Sequence, residues 1–165
     1  MSGLPEAEHA LDLGCGDGRL TAHLRAGAVT AADVSAVALR RARTRLPDAE
    51  IAHVEPDGPL PFVDGEFELV LVSETIEHVR DVQLFLSEVR RVLRPGGGLA
   101  LTTPAHSRWT ALRMVAGGFD SEFDPLSPHL RFFTPRSLSR LLDAMGFDVT
   151  SIKRRRGTLL ARATR

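Results

Sequence analysis

Short apolar runs alternate with helix-like segments along most of this chain. The predicted strands are residues 9–13, 29–32, 49–54, 68–73 and 98–103. Alternation of this kind is typical of βαβ units, in which parallel strands are joined through helices. The run at 68–73 is almost continuously apolar, which favours a strand covered on both faces of its sheet.

Helical periodicity and helix end signals accompany these strands. The predicted helices are residues 19–26, 36–46, 82–93 and 135–145. Ser35 is a side-chain cap for the second helix, and Pro47 stops it. The last helix has a cap and a first-turn proline in Thr134 and Pro135, and Gly146 ends it.

The C-terminal part departs from the alternation. Residues 147–153 and 158–163 flank a basic turn at 154–157 and predict an antiparallel hairpin, whereas residues 104–133 show no regular period. The chain is therefore predicted to be an α/β protein with a doubly wound, mostly parallel seven-stranded sheet and an antiparallel C-terminal hairpin. Ligands of such sheets bind beyond the carboxyl ends of the strands, near the switch point.

Length and composition favour one globular domain over residues 1–165. Basic and acidic residues number 21 each, so the net charge is zero and no overall field attracts nucleic acid or an anionic membrane. The single cysteine excludes an internal disulfide, and no apolar run is long enough to span a bilayer. A cytoplasmic protein without a membrane partner is expected.

The stretch "LDLGCGDG" places three glycines, Gly14, Gly16 and Gly18, between the first predicted strand and the following helix. Glycine lets a ligand approach the main chain closely, and a helix start favours negative groups. A tight strand-to-helix turn also requires glycine, so a structural role stays open. The spacing is neither GxGxxG nor GxxxxGK[ST], which disfavours an NAD-linked oxidoreductase and a triphosphate loop.

Carboxylates follow the next two predicted strands. Asp33 could accept hydrogen bonds from both hydroxyls of a ribose, and the alternative is a turn residue ahead of Ser35. Glu55 or Asp57 could accept a hydrogen bond from an exocyclic amine such as that of adenine, or belong to a solvated turn. Together these positions predict an adenosine-type ligand.

In these motifs the chain resembles class I S-adenosylmethionine (SAM)-dependent methyltransferases, which are Rossmann-like, of the small type that includes ubiquinone-biosynthesis enzymes. The resemblance rests on "LDLGCGDG", "ADVS", "LPFVDGEFELV", "EVRRVLRPGGGLALTTP" and "HLRFFTPRSLSRLLDAMGFDV", and covers nearly the whole chain. It implies SAM as cofactor and methyl transfer to an acceptor, expected to be a small molecule, at oxygen, nitrogen or carbon.

The resemblance also implies roles for matching positions. Asp12, Gly14, Cys15 and Gly16 would face the amino-acid part of SAM, and Ser73 and Glu74 would close over its methionyl part. Asp33 would hold the ribose and Val34 would pack on adenine, whose amine would meet Glu55 or Asp57.

Three histidines near the predicted site are candidate general bases: His78, His106 and His129. Each also has a structural interpretation, as a loop hydrogen-bond partner, a surface residue or a residue that orients Phe132 and Phe133. No HExxH or paired Cys/His pattern predicts a metal centre. Cys15 is interpreted as a small buried residue of the turn rather than as a nucleophile.

The source of a lid over the site is left open. Relatives often begin with helices that cover the site, and few residues precede the first strand here. The lid and acceptor pocket are expected to come from residues 104–133, from a homodimer partner or another chain, or to be absent. The alternative to an enzyme is a SAM-binding module that needs a partner chain for catalysis.

Overall fold

A computed structural model of the protein describes residues 6–106, 112, 115–118 and 128–165. Seven strands form one sheet in the order β3-β2-β1-β4-β5-β7-β6. Strands β1 to β5 run parallel, and β7 is antiparallel to both β5 and β6, as predicted. The strands are β1 (Ala7–Leu13), β2 (Ala26–Asp33), β3 (Glu50–His53), β4 (Phe67–Ser73), β5 (Leu93–Pro104), β6 (Asp148–Arg155) and β7 (Thr158–Thr164).

Three of the four predicted helices are confirmed, and their starts have side-chain caps. Helix α1 (Ala36–Arg45) begins where the Ser35 hydroxyl accepts a hydrogen bond from the amide of Ala38. Helix α2 (Val82–Val92) follows an Asp81 cap, and helix α3 (Pro135–Ala144) begins with a capping box. Two short 3₁₀ turns, Thr21–His23 and Ile76–His78, precede β2 and α2.

Successive residues of a strand point to opposite faces of the sheet, and both faces are covered by helices. Ala31 packs with Leu39 and Ala42 of α1, whereas its neighbour Ala32 belongs to the larger core on the other face. That larger core contains Leu86 and Val89 of α2 together with α3 residues. Helix α1 therefore covers one face and helices α2 and α3 cover the other.

The prediction of a helix at residues 19–26 is wrong. Strands β1 and β2 are paired from Ala7 with Ala26 to Leu13 with Ala32, so the chain must return the full length of β1. That length is roughly 20 Å, whereas a helix over residues 19–25 would advance only about 10 Å. The segment instead consists of turns and a single 3₁₀ turn at Thr21–His23, and from Leu24 it is extended and leads into β2.

Strand β5 begins at Leu93, earlier than predicted. Leu93 pairs with Phe67 and Gly98 pairs with Leu69, so the intervening residues bulge out of the ladder. Gly97 permits this bulge, since a Cβ at this position would lie 2.8 Å from the carbonyl oxygen of Arg94. The apolar Leu93 thus continues the helical pattern in sequence but is a strand residue.

The connection between β3 and β4 contains no helix, as the sequence predicts. The Arg91 guanidinium of α2 donates to the carbonyl oxygens of Leu60 and Phe62, at 3.0 and 2.8 Å. Glu88 accepts from the amide of Leu60 and binds Arg91 with both carboxylate oxygens. These side chains replace the helical hydrogen bonds that the segment lacks.

The predicted hairpin is confirmed, with a tighter turn than expected. Arg154 and Arg155 belong to β6, and only Arg156 and Gly157 make the turn, both with positive φ. Among the described residues, no helix combines the length and apolar character that crossing a bilayer requires.

Candidate functional site

A crevice of about 480 Å³ opens where β1 and β4 diverge, at the carboxyl ends of the parallel strands. This is the switch point at which doubly wound sheets bind ligands. Its volume lies in the range of small-molecule sites. Of the positions singled out in the sequence, those that line it are Gly14, Gly16, Asp33, Val34, Glu55, Asp57, Glu74 and His78.

The three positions of the turn are occupied by glycine for different structural reasons. A Cβ on Gly14 would lie 2.2 Å from Thr75 Oγ1, and one on Gly18 would lie 2.7 Å from Leu46 Cδ1. Gly16 has φ +56°, and among the residues that the structure describes no heavy atom lies within 4 Å of its Cβ position. Gly14 and Gly18 therefore allow close packing of the protein itself, whereas Gly16 leaves open space at the crevice.

Asp33 joins the glycine turn to the end of β2. Its Oδ2 accepts from the amide of Gly16 and its Oδ1 from the amide of Ser35, each at 2.8 Å. A carboxylate offers about four lone-pair directions, so two further hydroxyl groups can still bind. The glycine turn and Asp33, which are separated in the sequence, therefore meet at the same crevice.

An apolar surface lies beside this carboxylate. Val34 is 50% exposed and Leu84 is 38% exposed, and both side chains line the crevice. Exposed apolar side chains in a concave site provide a surface on which a flat ring can pack.

The two acids after β3 differ in their contacts. The Asp57 carboxylate accepts from Arg80 Nε at 2.7 Å and from the amide of Asp81 at 3.3 Å. The Glu55 side chain is 78% exposed, with His53 Nδ1 at 3.8 Å. Asp57 thus fixes the crevice wall to Arg80, while the Glu55 carboxylate keeps open hydrogen-bonding directions.

Asp12 lies behind the glycine turn rather than on the crevice surface, and it is 1% exposed. Its Oδ2 accepts from the Thr21 hydroxyl at 2.6 Å, whereas its Oδ1 has no partner among the described residues. Burial raises the pKa of Asp12 to about 6, against the opposing effect of the Thr21 hydrogen bond. The unpartnered oxygen is an acceptor available to a cationic group.

Cys15 and Ser73 also lie off the crevice surface. Cys15 is buried with Leu39 and Ala42, and burial raises the pKa of its thiol to about 12. A thiol with that pKa stays protonated and is a poor nucleophile. The Ser73 hydroxyl shares a hydrogen bond with Thr102 Oγ1 at 2.8 Å.

A buried acid, Glu77, stands next to the crevice and was not predicted from the sequence. It is 1% exposed, and its Oε2 accepts from Thr103 Oγ1 at 3.0 Å, while Oε1 has no partner in the described part of the chain. Burial raises the pKa of the neighbouring Glu74, and the charge of Glu77 adds to this rise. The signal in the sequence is the repetition of glutamate in "ETIEH" directly after a strand.

The structure brings two of the three candidate histidines together. The rings of His78 and His129 lie 4.9 Å apart, and His78 Nδ1 is 3.0 Å from the carbonyl oxygen of Pro128. His106 instead packs edge-on against Phe132 at 4.7 Å, and its amide donates to the Phe133 carbonyl. Only His78 of the three lines the crevice.

Residues 104–133, the expected lid, lie largely outside the described residues. At the described C-terminal end of this segment, the amides of Leu130 and Arg131 donate to the carbonyl oxygen of Glu77, next to the crevice. The Arg131 guanidinium also donates to the carbonyl oxygens of Val79 and Arg80.

The residues present fit an adenosyl cofactor that carries an ammonium group. Gly16 leaves space at the main chain, Asp33 has free acceptor directions, and Asp12 has an unpartnered buried oxygen. The fold thus defines a doubly wound α/β protein with a crevice at its switch point.

Comparison with known proteins identifies the family. The model of a family described as "methyltransferase domain" matches residues 11–101, which is more than half of the chain. The chain therefore belongs to this methyltransferase family, as the sequence motifs indicate.

The chain is similar to several curated methyltransferases. It is 34% identical over 151 residues to a ubiquinone biosynthesis O-methyltransferase of Nitrobacter winogradskyi, covering 85% of this chain and 56% of that protein. It is 37% identical over 147 residues to a demethylmenaquinone methyltransferase of Tropheryma whipplei, covering 87% and 56%. The chain thus spans about half the length of the curated relatives it matches.

Solved structures share the fold. A SAM-dependent methyltransferase of Methanosarcina mazei superposes with a TM-score of 0.76 at 23% identity, covering 98% of this chain and 94% of that chain. At this identity the similarity supports the Rossmann-like fold alone.

Proposed function

We propose that the protein binds SAM in the crevice at the switch point and transfers its methyl group to a small-molecule acceptor. The observation that carries the proposal is that Gly16, Asp33, Val34 and Glu55 line one crevice in the order of three neighbouring strand ends. In this order the crevice presents bare main chain, a carboxylate, an apolar surface and a second carboxylate. These features match the parts of an adenosyl group.

Each part of the cofactor has a partner in this proposal. Asp33 accepts from the ribose hydroxyls, Val34 packs against adenine, and Glu55 accepts from the adenine amine. Glu55 is preferred to Asp57 because Arg80 already occupies the Asp57 carboxylate. The glycine turn, with Asp12 beneath it, receives the amino-acid part.

The chemistry at the methyl group requires mainly positioning. When bound, SAM supplies a methyl group on a sulfonium that is ready for in-line displacement. Holding the acceptor in line can contribute about 7–11 kcal/mol, whereas a general base contributes a factor of about 10²–10⁴. We place His78, which lines the crevice beside Glu74, next to the acceptor.

Three observations support a small-molecule acceptor. The named relatives include ubiquinone and demethylmenaquinone methyltransferases. The net charge of zero provides no field for nucleic acid. The contacts of Leu130 and Arg131 with the crevice wall favour residues 104–133 as the border of the acceptor pocket.

Calorimetry with SAM, S-adenosylhomocysteine and NAD tests the proposal. Both sulfur ligands are expected to bind at one equivalent per chain, and NAD is not. Asp33→Ala should weaken S-adenosylhomocysteine by about 1.5–3 kcal/mol, the range for hydrogen bonds to a charged group.

Two controls make this test interpretable. Asp48→Ala removes an exposed acid outside the crevice and should leave affinity unchanged. Because Asp33 also accepts from the amides of Gly16 and Ser35, circular dichroism and thermal unfolding of Asp33→Ala check that the variant stays folded. Binding of NAD alone, or affinity within twofold for Asp33→Ala, contradicts the proposed site.

A further inference from the structure

A carboxylate and two imidazoles converge beside the crevice. One ligand atom from each of Glu77, His78 and His129 lies within 4.8 Å of the other two. Glu77 comes from the 3₁₀ turn after β4, as does His78, whereas His129 comes from the segment ahead of α3. The sequence spacing could not predict this cluster, because the two histidines are far apart along the chain.

The Glu77 carboxylate is buried with an unsatisfied oxygen that faces this cluster. Thr103 occupies Oε2, and Oε1 has no partner among the residues described, with His78 Nε2 4.0 Å away. A buried carboxylate oxygen without a hydrogen bond is costly unless a cation or a donor meets it.

His78 is oriented in the manner of a metal ligand. Its Nδ1 lies 3.0 Å from the Pro128 carbonyl oxygen, which can only accept, so Nδ1 carries the proton. Nε2 then keeps its lone pair, and it lies 4.0 Å from Glu77 Oε1. Histidines that bind metals usually donate their other ring nitrogen to a carbonyl or carboxylate in this way.

We propose that Glu77, His78 and His129 bind a divalent first-row transition-metal ion. One carboxylate and two imidazoles suit ions such as Zn²⁺, Co²⁺ and Mn²⁺ rather than Ca²⁺, which prefers oxygen ligands alone. An ion about 2.0–2.2 Å from each ligand holds the ligand atoms roughly 3–3.5 Å apart. Side-chain movements of about 1 Å therefore close the site around the ion.

The surrounding charges favour a cation. Glu74 interacts with Glu77, His78 and His129, so a second carboxylate lies near the cluster. His78 also lines the crevice, which places the ion at its edge. The site is formed by the chain's own residues and does not depend on whether SAM is the crevice ligand.

Co²⁺ titration of the purified full-length protein tests the proposal by visible absorption and calorimetry. One equivalent is expected, with d–d bands that Zn²⁺ abolishes by competition. Glu77→Gln, His78→Asn and His129→Asn should each weaken Co²⁺ binding at least tenfold, in line with the loss of one ligand. The control is His23→Asn, which removes an exposed imidazole outside the cluster and should bind Co²⁺ as the unaltered protein does.

Two further readouts separate folding from ligation. Saturating Zn²⁺ should raise the melting temperature of the unaltered protein and of His23→Asn but not that of the ligand variants. S-adenosylhomocysteine calorimetry on the same samples reports the proposed function independently. Absent Co²⁺ binding, or equal binding by Glu77→Gln, His129→Asn and His23→Asn, overturns the metal site, even where S-adenosylhomocysteine still binds.

Discussion

At the scale of single residues, the Asp12 carboxylate is buried, and in the described part of the chain Thr21 is its one hydrogen-bond partner. Burial raises the pKa of Asp12 from 3.8 to about 6, so the folded state holds the proton more tightly than the unfolded chain does. The stabilisation from this proton is complete below about pH 3.8 and is lost as pH rises through about 6. Two pKa units correspond to about 3 kcal/mol.

Asp12→Asn should remove this pH dependence, since the amide does not ionise and its oxygen can still accept from Thr21. The unfolding free energy of the variant relative to the unaltered protein should therefore increase by up to about 3 kcal/mol between pH 4 and pH 7.5. Urea unfolding at the two pH values measures this difference. Parallel pH curves for both proteins would show that Asp12 is not the group responsible, and Asp48→Asn, an exposed acid, serves as the control.

Some residues of the site are predictable from sequence and others are not. Gly16, Asp33 and Val34 follow strands in recognisable motifs, so the sheet topology alone brings them together. The role of Glu77 could not be predicted, because its burial depends on Thr103 from another strand and on the segment that contains Arg131.

At the scale of elements, α2 supports the crevice through Arg91. Its guanidinium binds Glu88, Asp64 and the carbonyl oxygens of Leu60 and Phe62, and the ion pairs raise its pKa above the ordinary value. Leu60 and Glu88 themselves line the crevice. One side chain therefore holds the helix-free connection against α2.

Arg91→Ala should lower the unfolding free energy by about 2–4 kcal/mol, because partly buried carbonyl and carboxylate groups lose their donor. Chemical denaturation monitored by circular dichroism measures the loss. Arg40→Ala, on the exposed face of α1, is the matched control and should change stability by less than about 0.5 kcal/mol. If Arg91→Ala lowers the unfolding free energy no more than the control does, Arg91 does not stabilise the connection as described.

Local signals explain which elements the sequence predicts correctly. Ser35 and Thr134 are caps whose hydrogen bonds form within one turn, so they need no knowledge of the rest of the fold. The error at residues 19–26 arises because the distance between the ends of β1 and β2 decides the conformation there. The early start of β5 depends likewise on pairing of Leu93 with Phe67.

At the scale of the whole molecule, the strand order creates the site. The connections from β1 and β4 leave the sheet on opposite sides of the switch point, which opens the crevice between Gly16 and Glu74. The central claim is that the adenosyl ligand lies in this crevice, against the main chain of the glycine turn.

Gly16→Ala tests that claim most directly, with Gly96→Ala as its control. Both glycines have positive φ, so each substitution costs about 1–2 kcal/mol of backbone strain. For both, no heavy atom of the described residues lies within 4 Å of a Cβ position. Only Gly16 lines the crevice.

The measurement is the dissociation constant of S-adenosylhomocysteine for each folded variant by calorimetry. We predict that Gly16→Ala weakens binding at least tenfold, because its methyl group occupies the ligand's space, while Gly96→Ala binds as the unaltered protein does. Equal dissociation constants for the two variants would contradict the account.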